Sequence, residues 1–287
     1  MLSVNQKMLI ARLLNRTLRL ARGAVGRDMN VRCRRRGIEW ELDLNEGIDL
    51  SIYLLGSFEP RAVRAYQPWI PRGGVALDIG ANIGAHTLQL AQFVGPGGRV
   101  LAVEPTDYAM GKLRRNLQLN PGLAARVEAR QCFLTADRTA SAPAEIPSSW
   151  PVTAAHEDPR LEAMGEMKAA TAALAMTADD LCTQAGLDRL DFVKIDVDGN
   201  EHTVLQGFRA SLERFRPDIL IELAPYHYDR DNEGHFDELV RYLASLEYDF
   251  TDAHTGRSVP NDPAALRRMV VPISGINALM RSRRPRT

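Results

Sequence analysis

The stretch Asp78-Ile79-Gly80-Ala81-Asn82-Ile83-Gly84 sets an acid and two glycines where a short apolar run gives way to a helical pattern. Glycines at such a turn let the backbone twist tightly and approach a ligand closely. The helix that follows turns its unpaired N–H groups toward that ligand. This is the nucleotide corner of a doubly wound sheet. A dinucleotide site wants G-x-G-x-x-G, whereas here Asn82 and Ala85 stand at the second and third glycine positions. A pyrophosphate needs bare backbone, so the departure disfavours NAD and favours an adenosine ligand without phosphate. Asp78 suits the ammonium of an amino-acid end, or its first water shell. Glu104 lies 20 residues past Gly84, at the end of the next apolar run, where a carboxylate can accept both ribose hydroxyls.

A second group follows at Asp196-Val197-Asp198-Gly199-Asn200-Glu201. Lys194, Asp196 and Asp198 alternate on one side of a predicted strand, and Val193, Ile195 and Val197 take the other. Charges in a central strand need partners or a role. Three readings stay open: Asp196 contacts cofactor or substrate; Asp196, Asp198 and Glu201 hold a divalent cation; or Asp198 or Asn200 caps the next helix. An EF-hand is excluded, because Gly207 stands where its bidentate Glu belongs. Chemistry at such a strand end that takes a proton from a weak nucleophile would need a base or a metal to lower its pKa. The candidate bases are His86, His202, His227 and Asp196, with Asp196 and His227 the best placed near strand ends.

The elements that position these groups follow from periodicity. Strands are expected at Val75–Ile79, Val100–Val103, Val127–Leu134, Phe192–Val197 and Asp218–Leu223, with two more near Tyr248–Thr251 and Val270–Ile273. Helices are expected over Ile83–Phe93, Tyr108–Leu119, Thr177–Leu187, Glu201–Phe215 and Phe236–Leu246. Ahead of them, 4–22 reads as a helix, Ile38–Leu44 and Leu50–Leu54 as β-like runs around a Glu46-Gly47 turn, and a helix runs from Pro60 to about Trp69. Residues 138–170 have no period and read as an insertion or mobile loop, a common form of active-site lid. Ala224-Pro225-Tyr226 reads as a turn. The fold class is α/β: a doubly wound, mostly parallel seven-stranded sheet with a small N-terminal helix and β element. The domain reading is a 1–70 lead-in, a 71–280 catalytic domain and a 281–287 basic tail.

Three blocks, VALDIGANIGAHTLQL at 75–90, the Glu104-Pro105 run with Arg115-Asn116-Leu117, and DFVKIDVDGNEHTVLQG at 191–207 followed by PDILIE at 217–222, resemble the FkbM-type methyltransferases. Gly56-Ser57-Phe58-Glu59-Pro60 is similar to a Gly-x-aromatic-Glu-Pro element of that family. The resemblance implies a Rossmann-like class I methyltransferase sheet with a reversed final hairpin, and S-adenosylmethionine as donor. It implies that Asp78, Gly80, Ala81, Asn82 and Gly84 wrap the methionine end. Glu104, with Pro105 beside it, would hold the ribose, and Leu134, Thr135 and Asp137 would flank the adenine. The family mostly O-methylates sugars and natural products, so the expected acceptor is a glycan, a glycolipid or a glycosylated small molecule.

The net charge of zero hides an asymmetry: residues 1–36 hold ten Lys or Arg against Asp28 alone, and 281–287 hold four Arg and no acid. The N-terminal basic amphipathic helix either packs on its own chain or a partner, or rests on an anionic membrane surface. Cys33, Cys132 and Cys182 are scattered, which argues against disulfides or a zinc site. No apolar run approaches the ~20 residues that span a bilayer. The expected location is cytoplasmic, soluble or peripheral to a membrane, although an Arg-rich start also suits a transit peptide. The alternatives are an RNA methyltransferase gripping phosphates with its basic ends, a non-catalytic cofactor-binding scaffold, and an NAD dehydrogenase. Against RNA, the body between the two ends is acidic.

Overall fold

The computed structural model describes residues 4–153, 165–228 and 233–283. At its centre is a seven-stranded sheet in the order β12-β13-β11-β10-β3-β4-β5. Its parallel members are β3 (Val75–Ile79), β4 (Arg99–Val103), β5 (Val127–Arg130), β10 (Phe192–Ile195) and β11 (Asp218–Leu223). β13 (Ile276–Ser282) runs antiparallel to both β11 and β12 (Tyr248–Asp252), which is the reversed final hairpin.

The period of two sorts the side chains. Leu77, Ile79, Val193, Ile195, Ile219 and Ile221 point into one core. Ala76, Val100, Phe192 and Leu220 point into the other, which holds Tyr66, Leu90 and Val94. Buried on both faces, the central strands read as continuous apolar runs. Lys194 and Asp78 are cross-strand partners with the parity of the second set, so two charges enter that layer.

The connecting helices are α3 (Pro60–Tyr66), α4 (Thr87–Val94), α5 (Asp107–Gln118), α6 (Pro121–Ala124), α7 (Ala178–Gln184), α8 (Glu201–Gln206), α9 (Arg209–Phe215), α10 (Pro225–Tyr228), α11 (Glu233–Ser245) and α12 (Pro263–Met269). Before them come α1 (Val4–Gly23), the hairpin β1 (Asn30–Arg35) with β2 (Ile38–Asp43), and α2 (Gly47–Leu55). The hairpin is tied to the glycine turn by two asparagines four residues apart, one on α5 and one just past its end. Asn116 and Asn120 accept the backbone N–H groups of Glu41 and Glu39, both at 2.9 Å, and Asn116 donates to the Ile83 carbonyl at 3.0 Å. Lys112, between α5 and α2, pairs with buried Asp49 at 2.6 Å.

Several boundaries differ from the sequence pattern. Leu50–Leu54 lies inside helix α2 instead of forming a strand: Gly56 at φ +84° closes the helix, donating to the Ile52 carbonyl. The Val127–Leu134 run divides at Gln131, whose side chain donates to Asp107 and Pro105. Its second half, β6 (Cys132–Thr135), pairs in parallel with β9 (Leu174–Thr177) outside the main sheet. The last strand lies six residues later than Val270–Ile273, because Val270 ends α12 and only Ile276–Met280 buries well between β11 and β12. Helix α4 starts at Thr87 rather than Ile83. Residues 138–170 are not wholly irregular: β7 (Glu145–Ser149) pairs antiparallel with β8 (Glu166–Ala169). The middle of that insertion and the end of the basic tail, 154–164 and 284–287, lie outside the described residues.

Candidate active site at the carboxyl edge of the sheet

The chain reverses its direction of travel across the sheet between β3 and β10, the point at which open α/β sheets bind their ligands. Gly80 follows β3 with φ +77°, and a Cβ there would stand 1.8 Å from the Asp196 carbonyl oxygen. The turn and the Asp196 segment therefore touch backbone to backbone. Asn82 also takes a left-handed conformation, φ +48°, which Asn tolerates by bonding locally. Its Oδ1 accepts the Ile83 N–H at 2.9 Å. Gly84, at φ +93°, leaves room for Leu113, which a Cβ would meet at 2.7 Å.

The turn's amides are consumed internally. Gly80 and Ala81 both donate to the Val103 carbonyl, Asn82 to Glu104, Ile83 to the Asn82 side chain and Gly84 to the Ala81 carbonyl. The expected row of amides pointing at a ligand is thus absent from 80–84, and with it the cradle that a pyrophosphate would need. Ala81 itself packs its methyl beside Ala102, Met110 and Leu113.

Glu104 is buried at 4% exposure. It accepts from the Asn82 N–H at 2.9 Å and from the Thr106 N–H and hydroxyl at 2.9 and 2.6 Å. A carboxylate has about four lone-pair positions, so one remains on the Oε2 side for a ribose hydroxyl. Strand β7 lies over this point: the Ser148 hydroxyl is 2.8 Å from that of Thr106, and its carbonyl accepts from the Asn82 side chain at 3.3 Å. Residues 149–152 continue onto the N-terminal element through Glu46, Gly47 and Asn45. Pro105 is half-buried beside Gln131. Thr135 is buried and donates to the Asp137 carbonyl, while the exposed Asp137 carboxylate accepts from Thr139.

Asp78 is fully buried and faces inward. It accepts the Thr87 hydroxyl at 2.6 Å and lies 3.7 Å from Lys194 Nζ. This departs from the expected contact with the methionine end: Asp78 anchors Lys194 and the start of α4. Lys194 donates to the Gly80 carbonyl at 2.9 Å and pairs with Asp196 at 3.3 Å. Burial alone would lower the lysine's pKa, but the carboxylates of Asp196, Asp78 and Glu59 more than reverse this. Burial likewise opposes ionisation of Asp196, and Lys194 overcomes it, so its pKa falls below the usual range.

Around Lys194 the sheet edge gathers residues far apart in sequence. Glu59, held at φ +45° just before α3, accepts from Asn277 at 2.8 Å and faces His86 at 3.8 Å. Glu222, near the end of β11, lies beside Asp196. Burial and the neighbouring Asp196 and Asp198 charges push the Glu222 carboxyl well up. Asp198, at φ +51°, faces His227 at 3.5 Å. Glu222 had no place among the sequence candidates, although a charge set within the apolar run Ile219–Leu223 was a legible signal.

Glu201 does a different job from the metal ligand considered for it. One oxygen accepts the Val197 and Gly199 N–H groups at 3.0 and 3.3 Å, and the other takes the Tyr228 hydroxyl. It holds the Asp196–Asn200 loop in shape. Neither Asp198 nor Asn200 caps α8 with its side chain: Asn200 donates instead to the Leu134 carbonyl.

The three histidines separate. His202 is on α8 beside Glu238, 3.9 Å away. His86 is sealed under Tyr66, 3.0 Å from its hydroxyl, and burial together with Lys194 lowers its pKa to about 3. His227 sits on the single turn α10, not in a plain turn, with its ring 4.1 Å from that of Tyr226. Burial lowers its pKa to about 4, so at neutral pH the ring is uncharged.

A mostly parallel sheet with β13 reversed, a glycine turn after its first central strand and an acid after the next define an α/β protein of the class I methyltransferase type. The sequence model of the methyltransferase FkbM domain matches residues 78–250, and the chain belongs to that family. Among solved structures it resembles an FkbM methyltransferase from Methylobacillus flagellatus KT, with 18% identity and a TM-score of 0.44, over 74% of this chain and 44% of that one. The match thus spans less than half of that relative. It also resembles an O-methyltransferase from Bacillus cereus in complex with SAH, at 16% identity and TM-score 0.43, covering 77% and 79% of the two chains. Aeropyrum pernix fibrillarin with bound S-adenosyl-L-methionine gives 12% identity and TM-score 0.43, over 88% and 81%. No curated protein matches the sequence.

Proposed function

We propose that the protein transfers the methyl group of S-adenosylmethionine to a sugar hydroxyl on a glycan, glycolipid or glycosylated small molecule. One observation carries this reading: the glycine turn abuts the Asp196 segment at 1.8 Å from a would-be Cβ. A donor lying on that turn would have its reactive end beside Asp196, Glu222 and His227. Methyl transfer is an in-line displacement in which positioning does much of the work. The acceptor O–C bond forms while the C–S bond breaks, its electron pair leaving on sulfur as a neutral thioether. The hydroxyl proton must go to a nearby group. Asp196, ionised by Lys194, and neutral His227 are the candidates for that role. The lack of spare amides at 80–84 supports a phosphate-free cofactor over a dinucleotide.

The test is direct. Titration with S-adenosylhomocysteine should show binding where NAD shows none, and labelled donor should mark a species in whole-cell glycan or lipid extracts. Failure of S-adenosylhomocysteine to bind at millimolar concentration would remove the reading.

Helix α1 supports an acceptor held at a membrane. Met8 and Asn15 pack it onto its own domain, while Leu9, Leu13 and Leu20 form an outward stripe at 58, 59 and 69% exposure. Arg12, Arg16 and Arg19 flank that stripe. Phosphates of RNA would engage the arginines and leave the leucines without a role; an anionic bilayer engages both. No described helix is long and apolar enough to cross a membrane. The protein should co-sediment with vesicles containing phosphatidylglycerol and not with neutral ones, and Leu13→Ser with Leu20→Ser should release it. Equal recovery with and without anionic lipid would exclude this location.

A further inference from the structure

The carboxyl ends of β10 and β11 and the turn α10 bring Asp198, Glu222 and His227 together. One oxygen of each acid and one ring nitrogen lie within 4.8 Å of one another. His227 Nε2 is 3.5 Å from Asp198 Oδ1, and its side chain is 4% exposed. That nitrogen is buried and has no hydrogen-bond partner among the described residues. A buried polar atom left unpaired costs about 1–3 kcal/mol, so its place here calls for an occupant.

The surroundings are shaped to leave room. Gly199 has no side chain where a Cβ would press on His227 at 3.1 Å. Gly275 likewise clears the Glu222 carboxylate, which a Cβ would meet at 2.8 Å. Glu201 and Tyr228 fix the loop that carries Asp198 without using any of the three donor atoms. One imidazole with two carboxylates is a donor set for a divalent transition ion. At metal–ligand distances of about 2.0–2.2 Å, donors on one ion stand roughly 3–4 Å apart, as the Asp198–His227 pair does.

We propose that Asp198, Glu222 and His227 form a binding site for a divalent transition cation, whose open positions take the acceptor's oxygens. The second clause rests on the methyl-transfer reading above; the first does not. Three protein ligands leave coordination positions open, and two of them suit an alcohol with a second oxygen on the neighbouring carbon, such as a sugar vicinal diol. The cation lowers the pKa of the bound hydroxyl. With His227 on the metal, the hydroxyl proton leaves to solvent. The alkoxide oxygen takes the methyl carbon, and the C–S electron pair stays on sulfur.

The experiment uses the full chain, stripped with a chelator and titrated with Mn2+ while the signal of the free ion is followed by electron paramagnetic resonance. One Mn2+ per chain should bind, and His227→Gln and Asp198→Asn should each weaken it at least tenfold, with His202→Gln unchanged. S-adenosylhomocysteine binding by the same variants shows that they remain folded; Glu222→Gln supplies a third variant should one of them unfold. Absence of both Mn2+ and Zn2+ binding below about 1 mM, or binding that survives His227→Gln and Asp198→Asn, would overturn the site. Methyl transfer that persists in excess chelator would overturn the cation's role and leave the transferase reading standing. Mn2+ bound by a chain that ignores S-adenosylhomocysteine would keep the site and remove that reading.

Discussion

Replacing Gly80 by alanine tests the backbone contact on which the site is built. The new methyl would stand 1.8 Å from the Asp196 carbonyl oxygen, whereas ordinary contact begins near 3.4 Å, so the two segments must part by about 1.6 Å. Both atoms are tied to main chain, so no rotamer relieves the clash. Two costs add. Holding alanine in the left-handed region costs about 1–2 kcal/mol, and forced overpacking about 1–3 kcal/mol. The sum is roughly 2–5 kcal/mol of stability. Parting the segments also strains the Lys194–Gly80 hydrogen bond, so affinity for S-adenosylhomocysteine should fall at least tenfold. Gly97 is the matched control: its φ is +82° and a Cβ there meets nothing within 4 Å. Gly97→Ala should therefore show only the conformational cost, with cofactor affinity unchanged. Urea unfolding and calorimetric titration of both variants decide the matter. Equal destabilisation of the two, within about 0.5 kcal/mol, or wild-type affinity in Gly80→Ala, would refute the close approach.

Other perturbations probe the same edge. Lys194→Met leaves Asp78 and Asp196 without their buried cation; breaking such a pair costs about 3–5 kcal/mol, and a urea midpoint close to wild type would argue against the network. Glu104→Ala removes the acceptor of three hydrogen bonds, one from the turn at Asn82 and two from Thr106, so S-adenosylhomocysteine titration should show a clear loss of affinity. His86 has a folded pKa of about 3 against 6.5 unfolded. Its contribution is therefore present above pH 6.5 and is lost as pH falls toward 3, by about 2 kcal/mol at pH 5. Wild type should lose more stability than His86→Gln between pH 7 and 5, and parallel losses would show that the ring is not held neutral.

Local chemistry made the corner readable. Only glycine takes φ +77° against another backbone, so Gly80 announced a close approach before any fold was known. Apolar runs marked the strands, and the alternation of Lys194 with Val193 and Ile195 showed which charges share a face, because the period of two is intrinsic to the strand. Short apolar segments carry no such distinction: Leu50–Leu54 fits a strand or a helix equally, and burial with Gly56 as a stop settled it as α2. The split at Gln131 and the late start of β13 likewise depend on partners distant in the chain.

Which groups meet was also beyond reach of the linear pattern. Asp198, Glu222 and His227 come from two strand ends and a helical turn. Asp78 turned inward to Lys194 because the strand's period sends both into one layer. The amides of residues 80–84 went to Val103, Glu104 and one another, which depends on how β4 ends beside the turn. The sequence by itself determined the chain's conformational permissions: where it could bend, which faces were apolar, and where a charge had to find company. The tertiary structure alone decided the company, since neighbours across parallel strands are set by sheet order and register, and these are properties of the whole fold.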